Sequence, residues 1–265
     1  MLLGGGLCVL VLCVAAAMGQ KTPTPPTDSE KKAPAKEVVP TYWKGNLHTH
    51  TLWSDGDDYP EMVADWYKTH GYQFLALTDH NVLSEGERWM DESARTEKGL
   101  AKYLTRFGKD WVERREMAGK KQVRLKPLRE FRSLLEEPNK FLMIPAEEIS
   151  ASYGKSPVHV NGINLRDVVP AAKGESVGET VTVNARAVAE QRKKTGWKMI
   201  AILNHPNFQW GVRAEDMVLS EELKFFEVFN GHSGVRNYGD ASHASCERIW
   251  DIVLALRLGK HKLPV

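Results

Sequence analysis

Short apolar runs that lead into metal-binding residue types recur along this chain, and this pattern constrains the fold more than any other feature. Runs of this length, bounded by polar residues, are typical of buried parallel strands. Segments with helical spacing separate them, which indicates alternating strands and helices. The polar residues that follow the runs are Asp79 and His80, Glu147 and Glu148, Asn204 and His205, and Asn230. The pattern therefore predicts a parallel α/β barrel of six recognisable strands, with its site at the carboxyl-terminal rim.

The first candidate ligands lie in the segment 45–56. His48 and His50 are two residues apart, so on a strand both imidazoles leave the same face. Asp55 follows in a Ser-Asp-Gly turn, where a short carboxylate can turn back toward them. Further along, His159 opens the apolar run 158–165. Any one of these histidines also fits an ordinary turn or core position, and only their recurrence favours a shared metal site.

Composition limits the class of protein. The chain has 265 residues, of which 42% are hydrophobic and 26% charged, with a formal net charge of +2. These values suit one sizeable globular domain. The small net charge gives no general case for nucleic-acid binding.

The first forty residues differ from the rest. The apolar run Leu2–Met18, with its small-residue exit, predicts a signal peptide over 1–19 and a secreted or periplasmic protein. The alternative is an N-terminal membrane anchor, although a span needs about 20 apolar residues. A Pro/Thr/Lys-rich linker covers 20–40, and the folded domain covers 41–265.

The segment from Asp91 to Lys140 predicts a charged helical insertion on the barrel. It holds 14 Lys and Arg residues against 9 Asp and Glu residues, and its apolar residues keep helical spacing. The positive excess either attracts an anionic substrate or forms a solvated helix face. His70 ends an earlier helix and is interpreted as a capping residue, not a ligand.

Taken together, the candidate ligands indicate which kind of metal ion they could bind. They are His48, His50, Asp55, His80, Glu148, His159 and His205. Imidazoles mixed with carboxylates suit Zn, Mn or Fe rather than Ca or Mg. Because the set is too large for one tetrahedral ion, it predicts two or three divalent transition metal ions, with a carboxylate such as Glu148 bridging two of them.

Five motifs carry a family resemblance. They are Asn46-Leu47-His48-Thr49-His50-Thr51 with Ser54-Asp55-Gly56, Leu77-Thr78-Asp79-His80-Asn81, Ile144-Pro145-Ala146-Glu147-Glu148-Ile149-Ser150, His159-Val160-Asn161-Gly162-Ile163, and Asn204-His205-Pro206. On these motifs the segment from about Trp43 to Asn230 resembles the polymerase and histidinol phosphatase (PHP) family of metal-dependent phosphoesterases. The resemblance implies a distorted (β/α)7 barrel with up to three metal ions that cleaves phosphate esters.

The resemblance also implies roles for individual residues. By position, the seven candidates match the metal ligands of the family, and the Glu-Ile-Ser match selects Glu148 over its neighbour Glu147. An Asp-x-His motif at the end of the seventh strand is missing, since Asp240-Ala241-Ser242-His243 has the wrong spacing. We therefore expect a C-terminally truncated sequence that lacks the last strand. If Val265 is the natural end, one metal position is weak or empty and the barrel has an exposed edge.

The predicted function is hydrolysis of a phosphate mono- or diester by a metal-activated water. The substrate is a small phosphorylated compound or nucleotide. Two alternatives remain, hydrolysis of an amide or other non-phosphate bond at the same site, and a non-catalytic module that binds metal or phosphate. Asp79 and Asn204 either orient imidazoles or are ordinary turn residues, Asn230 either lines the pocket or caps a turn, and no general acid is assigned.

Overall fold

A mixed, strongly curled sheet of six strands forms a half-barrel at the centre of the protein, so the fold is α/β as predicted. The computed structural model describes residues 42–263, and the predicted signal peptide and linker lie outside the described residues. The strands are β1 (Gly45–Asn46), β2 (Phe74–Leu77), β3 (Arg88–Asp91), β4 (Arg114–Met117), β5 (Lys120–Leu125), β6 (Leu142–Tyr153), β7 (Ser156–Ile163), β8 (Ile200–Leu203) and β9 (Phe225–Phe226). The helices are α1 (Pro60–Thr69), α2 (Ala94–Phe107), α3 (Leu128–Leu135), α4 (Val177–Thr195), α5 (Ala214–Val218) and α6 (Cys246–Ala255), and a π-helical segment covers Leu256–His261.

The half-barrel is not all parallel, and the sequence prediction is wrong on this point. The strand order is β1-β2-β6-β7-β8-β9. The pairs β1/β2, β2/β6 and β8/β9 are parallel, whereas β7 runs antiparallel to both β6 and β8. The cause is local: a two-residue connection between Tyr153 and Ser156, with Gly154 at φ +59°, folds β6 directly back into β7. The number of strands in this sheet agrees with the prediction.

Strand β6 is twelve residues long, and different parts of it pair with different neighbouring strands. Its first residues, Leu142–Pro145, pair with β2, and the remainder pairs with β7. In the sequence this strand was expected to end at Ala146. It continues past the acidic pair because residues Ala146–Tyr153 pair with β7, and Ile149 in this part is fully buried.

The charged insertion is not purely helical, which corrects a second prediction. After α2 come β4 and β5, which form a three-stranded antiparallel sheet with β3, and then α3. Ala118 and Gly119 connect β4 to β5, and both have positive φ, at 52° and 74°. A two-residue turn with two left-handed residues matches the twist of a hairpin. Val123 and Leu125 of β5 are buried, and this alternation is the strand signal that the charged residues obscure.

Helix α4 packs on the outer face of the half-barrel. It begins at Val177 because the Ser176 side chain accepts a hydrogen bond from the Glu179 N–H at 3.0 Å and caps the helix. Its buried residues Val181 and Val188 join the largest apolar cluster of the core. Among the described residues, no helix combines the length and the apolar composition needed to cross a membrane.

The insertion is attached to α1 through a buried acid. Glu61 is fully buried, and its Oε1 accepts hydrogen bonds from the Tyr103 hydroxyl at 2.5 Å and the Trp111 indole N–H at 3.1 Å. Tyr103 also stacks on Tyr59, with 4.3 Å between ring centroids.

His70 lies at the end of α1, where its Nδ1 contacts the Trp66 carbonyl, consistent with the predicted capping position.

Candidate metal centre

The strand ends bring the predicted ligands together at one rim of the half-barrel. His48 and His50 follow β1, His80 follows β2, and His205 follows β8. Glu148 and His159 lie within the antiparallel pair β6/β7. Both histidines lie beyond the two-residue strand β1, but the chain after it still directs both imidazoles to one side, with their Nε2 atoms 3.2 Å apart.

Glu148 lies at the centre of this cluster, and five imidazoles surround its carboxylate. On the Oε1 side, the nearest ring nitrogens are 3.1 Å away for His159, 3.2 Å for His205 and 3.4 Å for His48. On the Oε2 side they are 2.9 Å away for His80 and 3.3 Å for His50. The carboxylate therefore separates two groups of histidines, one at each oxygen.

Asp55 joins the Oε2 side of the cluster from a more exposed position. Its carboxylate oxygens lie 3.4 Å from His50 Nδ1 and 3.5 Å from His80 Nε2. Ligand atoms of His50, Asp55 and His80 lie within 4.8 Å of one another, as do those of His48, His50 and Glu148 and those of His80, Glu148 and His159. Each of these three groups has the dimensions of a metal site.

The environment of Glu148 fits a bound cation. Its side chain is buried, and Oε2 has no partner with hydrogen-bond geometry within the described structure, although two imidazole nitrogens are close. A buried carboxylate oxygen in this condition is costly. The Nε2 atoms of His48 and His50 lie 3.2 Å apart beside the same carboxylate, so both ring nitrogens are positioned to bind one ion. A cation placed among these atoms would satisfy all of them.

Asn204 and Asp79, which the sequence offered either as residues that orient imidazoles or as turn residues, form hydrogen bonds with groups other than imidazoles. The Asn204 side-chain amide donates to Glu148 Oε1 and to Asn161 Oδ1, both at 2.8 Å, so it orients the central carboxylate. Asp79 accepts hydrogen bonds from the Thr51 N–H and the Ser54 hydroxyl, both at 2.7 Å. It therefore holds the loop that carries His50 and Asp55.

Glu227 is a site residue that sequence analysis did not identify. Its Oε1 lies 2.6 Å from His48 Nδ1, and its Oε2 accepts hydrogen bonds from the His205 N–H and the Asn230 side-chain amide, both at 2.9 Å. It links two candidate ligands and the pocket-lining residue Asn230. The sequence signal that could have pointed to Glu227 is its position as the single acidic residue in the apolar run Leu223–Phe229.

Glu147 and Glu148 point in opposite directions, as neighbours on a strand do. Glu147 is buried away from the histidines, and its Oε1 accepts a hydrogen bond from the Val169 N–H at 2.5 Å. Burial raises the pKa of Glu147 to about 7. Of the two acids, only Glu148 lies among the candidate ligands.

The charges in the cluster are strongly coupled. Burial acts to lower the pKa of His48, but contacts with Glu148 and Glu227 outweigh it and raise that pKa to about 10. Burial acts to raise the pKa of Glu148, but the contacts with His159 and His205 outweigh it and hold the pKa well below its usual range. In the absence of a cation, the site therefore combines a carboxylate anion with at least one protonated imidazole.

The cluster forms the floor of an open cavity of about 450 Å³. One wall is apolar and includes Phe208, Phe229 and Val235, and the rim includes Gly231 and His232. Among the described residues that line this cavity there is no lysine or arginine. The cavity is large enough for a small organic ester.

Neither a scan against protein-family models nor a search of curated proteins gives a match for this chain. The geometry defines the class of site: a buried cluster of histidines around Glu148 that can hold metal ions.

Proposed function

We propose that this protein is a PHP-type metal-dependent phosphoesterase that hydrolyses a phosphate mono- or diester. The single observation that carries the proposal is the position of Glu148, with histidines at both carboxylate oxygens. A carboxylate in this position can bridge two ions. The resemblance of the His-x-His and Thr-Asp-His motifs to the PHP family supports phosphate esters as the substrate class, and it supports a distorted PHP-type barrel as the finer description of the fold.

Grouped by the Glu148 oxygen that each one faces, the residues form two sets, and the ligand groups His48–His50–Glu148 and His80–Glu148–His159 span both of them. His50, Asp55 and His80 surround the Oε2 side of Glu148. His48, His159 and His205 surround the Oε1 side. When ions are bound, they supply a water of lowered pKa as nucleophile and neutralise negative charge on the phosphoryl oxygens.

The remaining residues of the site hold these ligands in place. Glu227 accepts a hydrogen bond from the Nδ1–H of His48, which leaves Nε2 facing the cluster. Asn204 fixes the plane of the Glu148 carboxylate. Phe208 and Phe229 line one side of the cavity with apolar surface.

The proposal is tested with protein loaded with Mn²⁺ or Zn²⁺ and assayed on p-nitrophenyl phosphate and bis(p-nitrophenyl) phosphate. We expect metal-dependent release of p-nitrophenol from at least one of them, and loss of both activity and bound metal in the His48→Ala, His50→Ala double variant. The matched control is His70→Ala, an exposed histidine outside the cavity. Full activity in the double variant would exclude catalysis at this site, and hydrolysis of p-nitroanilide substrates alone would assign the site to amide bonds.

A further inference from the structure

His232 follows β9 and lines the same cavity as the histidine cluster, but it is not one of the candidate ligands. Its Nδ1 accepts a hydrogen bond from the Gly234 N–H at 3.0 Å. A neutral imidazole that accepts at Nδ1 carries its proton on Nε2. The hydrogen bond from Gly234 therefore favours the tautomer with its N–H at Nε2, on a residue that lines the cavity.

The position of the His232 ring is fixed by its surroundings. Its backbone N–H donates to Asn230 Oδ1 at 2.8 Å, and its ring makes an edge contact with Phe208, 5.8 Å between centroids. Phe208 in turn contacts the His205 ring, 5.2 Å away. A Cβ atom on Gly234 would lie only 3.1 Å from the rings of His232 and Phe208, so a glycine allows this close packing.

The other polar side chains of the wall have protein partners. The Asn230 amide donates to Glu227 and faces His48, and the Asn46 amide donates to the Tyr67 hydroxyl. Glu227 is an acceptor whose oxygens contact His48, His205 and Asn230. Within the described structure, the Nε2 atom of His232 has no protein hydrogen bond, and no lysine or arginine lines the cavity. His232 is thus a side chain outside the metal cluster whose ring N–H has no protein acceptor within the described structure.

We propose that His232 is a substrate-binding residue whose Nε2–H donates to a phosphate oxygen of the ester. This inference rests on the proposed function, because it needs a phosphate group at the metal cluster. The turn holds the ring before the substrate binds, so we expect the hydrogen bond to stabilise the bound substrate and the transition state equally. Interactions of that kind lower KM and leave kcat unchanged.

Two variants separate the donor from the turn. In His232→Asn, the side-chain oxygen can take the place of Nδ1 and accept from Gly234, but the donor at Nε2 is lost. In His232→Gln, the amide reaches the position of Nε2 and restores an N–H donor. For bis(p-nitrophenyl) phosphate with the Mn-loaded protein, we expect His232→Asn to raise KM about 10-fold or more, as for the loss of a hydrogen bond to a charged group. His232→Gln should stay within about 3-fold of the unmodified protein, and kcat within about 3-fold in both variants.

A second readout does not depend on turnover. Inorganic phosphate is titrated by calorimetry into the Mn-loaded proteins, and we expect about 10-fold weaker binding to His232→Asn than to His232→Gln. Metal content and the thermal midpoint should be unchanged, since His232 is exposed and outside the ligand cluster. Equal phosphate affinities and equal KM values in the two variants would overturn the inference, as would a fall in kcat at constant KM. If no protein hydrolyses the ester but phosphate binding still depends on His232, the proposed function fails and the binding role stands.

Discussion

The Nδ1 atom of His48 lies 2.6 Å from the Oε1 atom of Glu227, although 179 residues separate them in the chain. The carboxylate holds a proton on Nδ1, so the other ring nitrogen of His48 is the one presented to Glu148 and His50. A carboxylate behind an imidazole fixes the tautomer and the ring orientation that a metal ligand needs.

Replacing Glu227 with glutamine should weaken metal binding. Glu227→Gln removes the negative charge behind His48 and leaves the shape nearly unchanged. We expect the affinity for Zn²⁺ or Mn²⁺ to fall about 10- to 100-fold, the usual effect of losing a carboxylate that hydrogen-bonds to a metal-binding histidine. The measurement is competition with a chelating dye. Glu221→Gln, an exposed acid before β9, is the control, and an unchanged affinity in Glu227→Gln would contradict the proposed pairing.

The adjacent acids Glu147 and Glu148 should give opposite results when each is changed to glutamine. Glu148→Gln removes the central carboxylate, so we expect the metal affinity to fall more than about 100-fold. This loss is larger than the one expected for a residue that only hydrogen-bonds to a ligand. Glu147→Gln should keep the affinity, because that side chain contacts the Val169 N–H and not the histidines. Elemental analysis after dialysis measures both, and the reverse order would identify Glu147 as the ligand.

Metal binding at pH 7 should release protons. The pKa of His48 is raised to about 10 in the metal-free protein, so the ring is protonated at neutral pH. A metal at Nε2 has to displace that proton, because a ligating imidazole is unprotonated at the ligating nitrogen. We expect calorimetric enthalpies of Zn²⁺ binding to vary with the ionisation enthalpy of the buffer, corresponding to about one proton or more. Identical enthalpies in phosphate-free buffers such as Tris and Pipes would contradict this assignment.

Glu61 should make the protein less stable as the pH rises. Burial raises its pKa above the ordinary value of 4.5, although Tyr103 and Trp111 donate to it. The folded protein therefore holds this proton more tightly than the unfolded chain. The contribution of the neutral acid to stability is full below about pH 4.5 and is lost as pH rises through the raised pKa.

Glu61→Gln tests this sign directly, because glutamine imitates the protonated acid at every pH. Urea unfolding between pH 4.5 and 8 should show the stability of the variant improving relative to the unmodified protein as pH increases. Glu97→Gln, an exposed acid on α2, should show no such trend. Parallel stability curves for Glu61→Gln and the unmodified protein would show that Glu61 does not titrate with a raised pKa.

The two incorrect predictions, a helical insertion and an all-parallel barrel, have a common physical cause. The charged insertion was predicted as helical because its many Lys and Arg residues hide the alternation of Val123 and Leu125 in β5. The barrel was predicted as parallel because the turn at Gly154 is only two residues long and lies in a polar segment. In both cases a tight turn with positive φ decided the topology, and such turns are weak signals beside long apolar runs.

The sequence by itself determined the α/β class, the number of strands in the half-barrel and the residues that meet at its rim. It could do so because apolar periodicity and residue type are local properties, and because strand ends converge wherever parallel strands share an edge. Only the tertiary structure decided that Glu227 supports His48 and that His232 lines the same cavity as the ligands. Those facts depend on which face of a strand is turned inward and on contacts between distant residues, and neither is encoded in any short stretch of the chain.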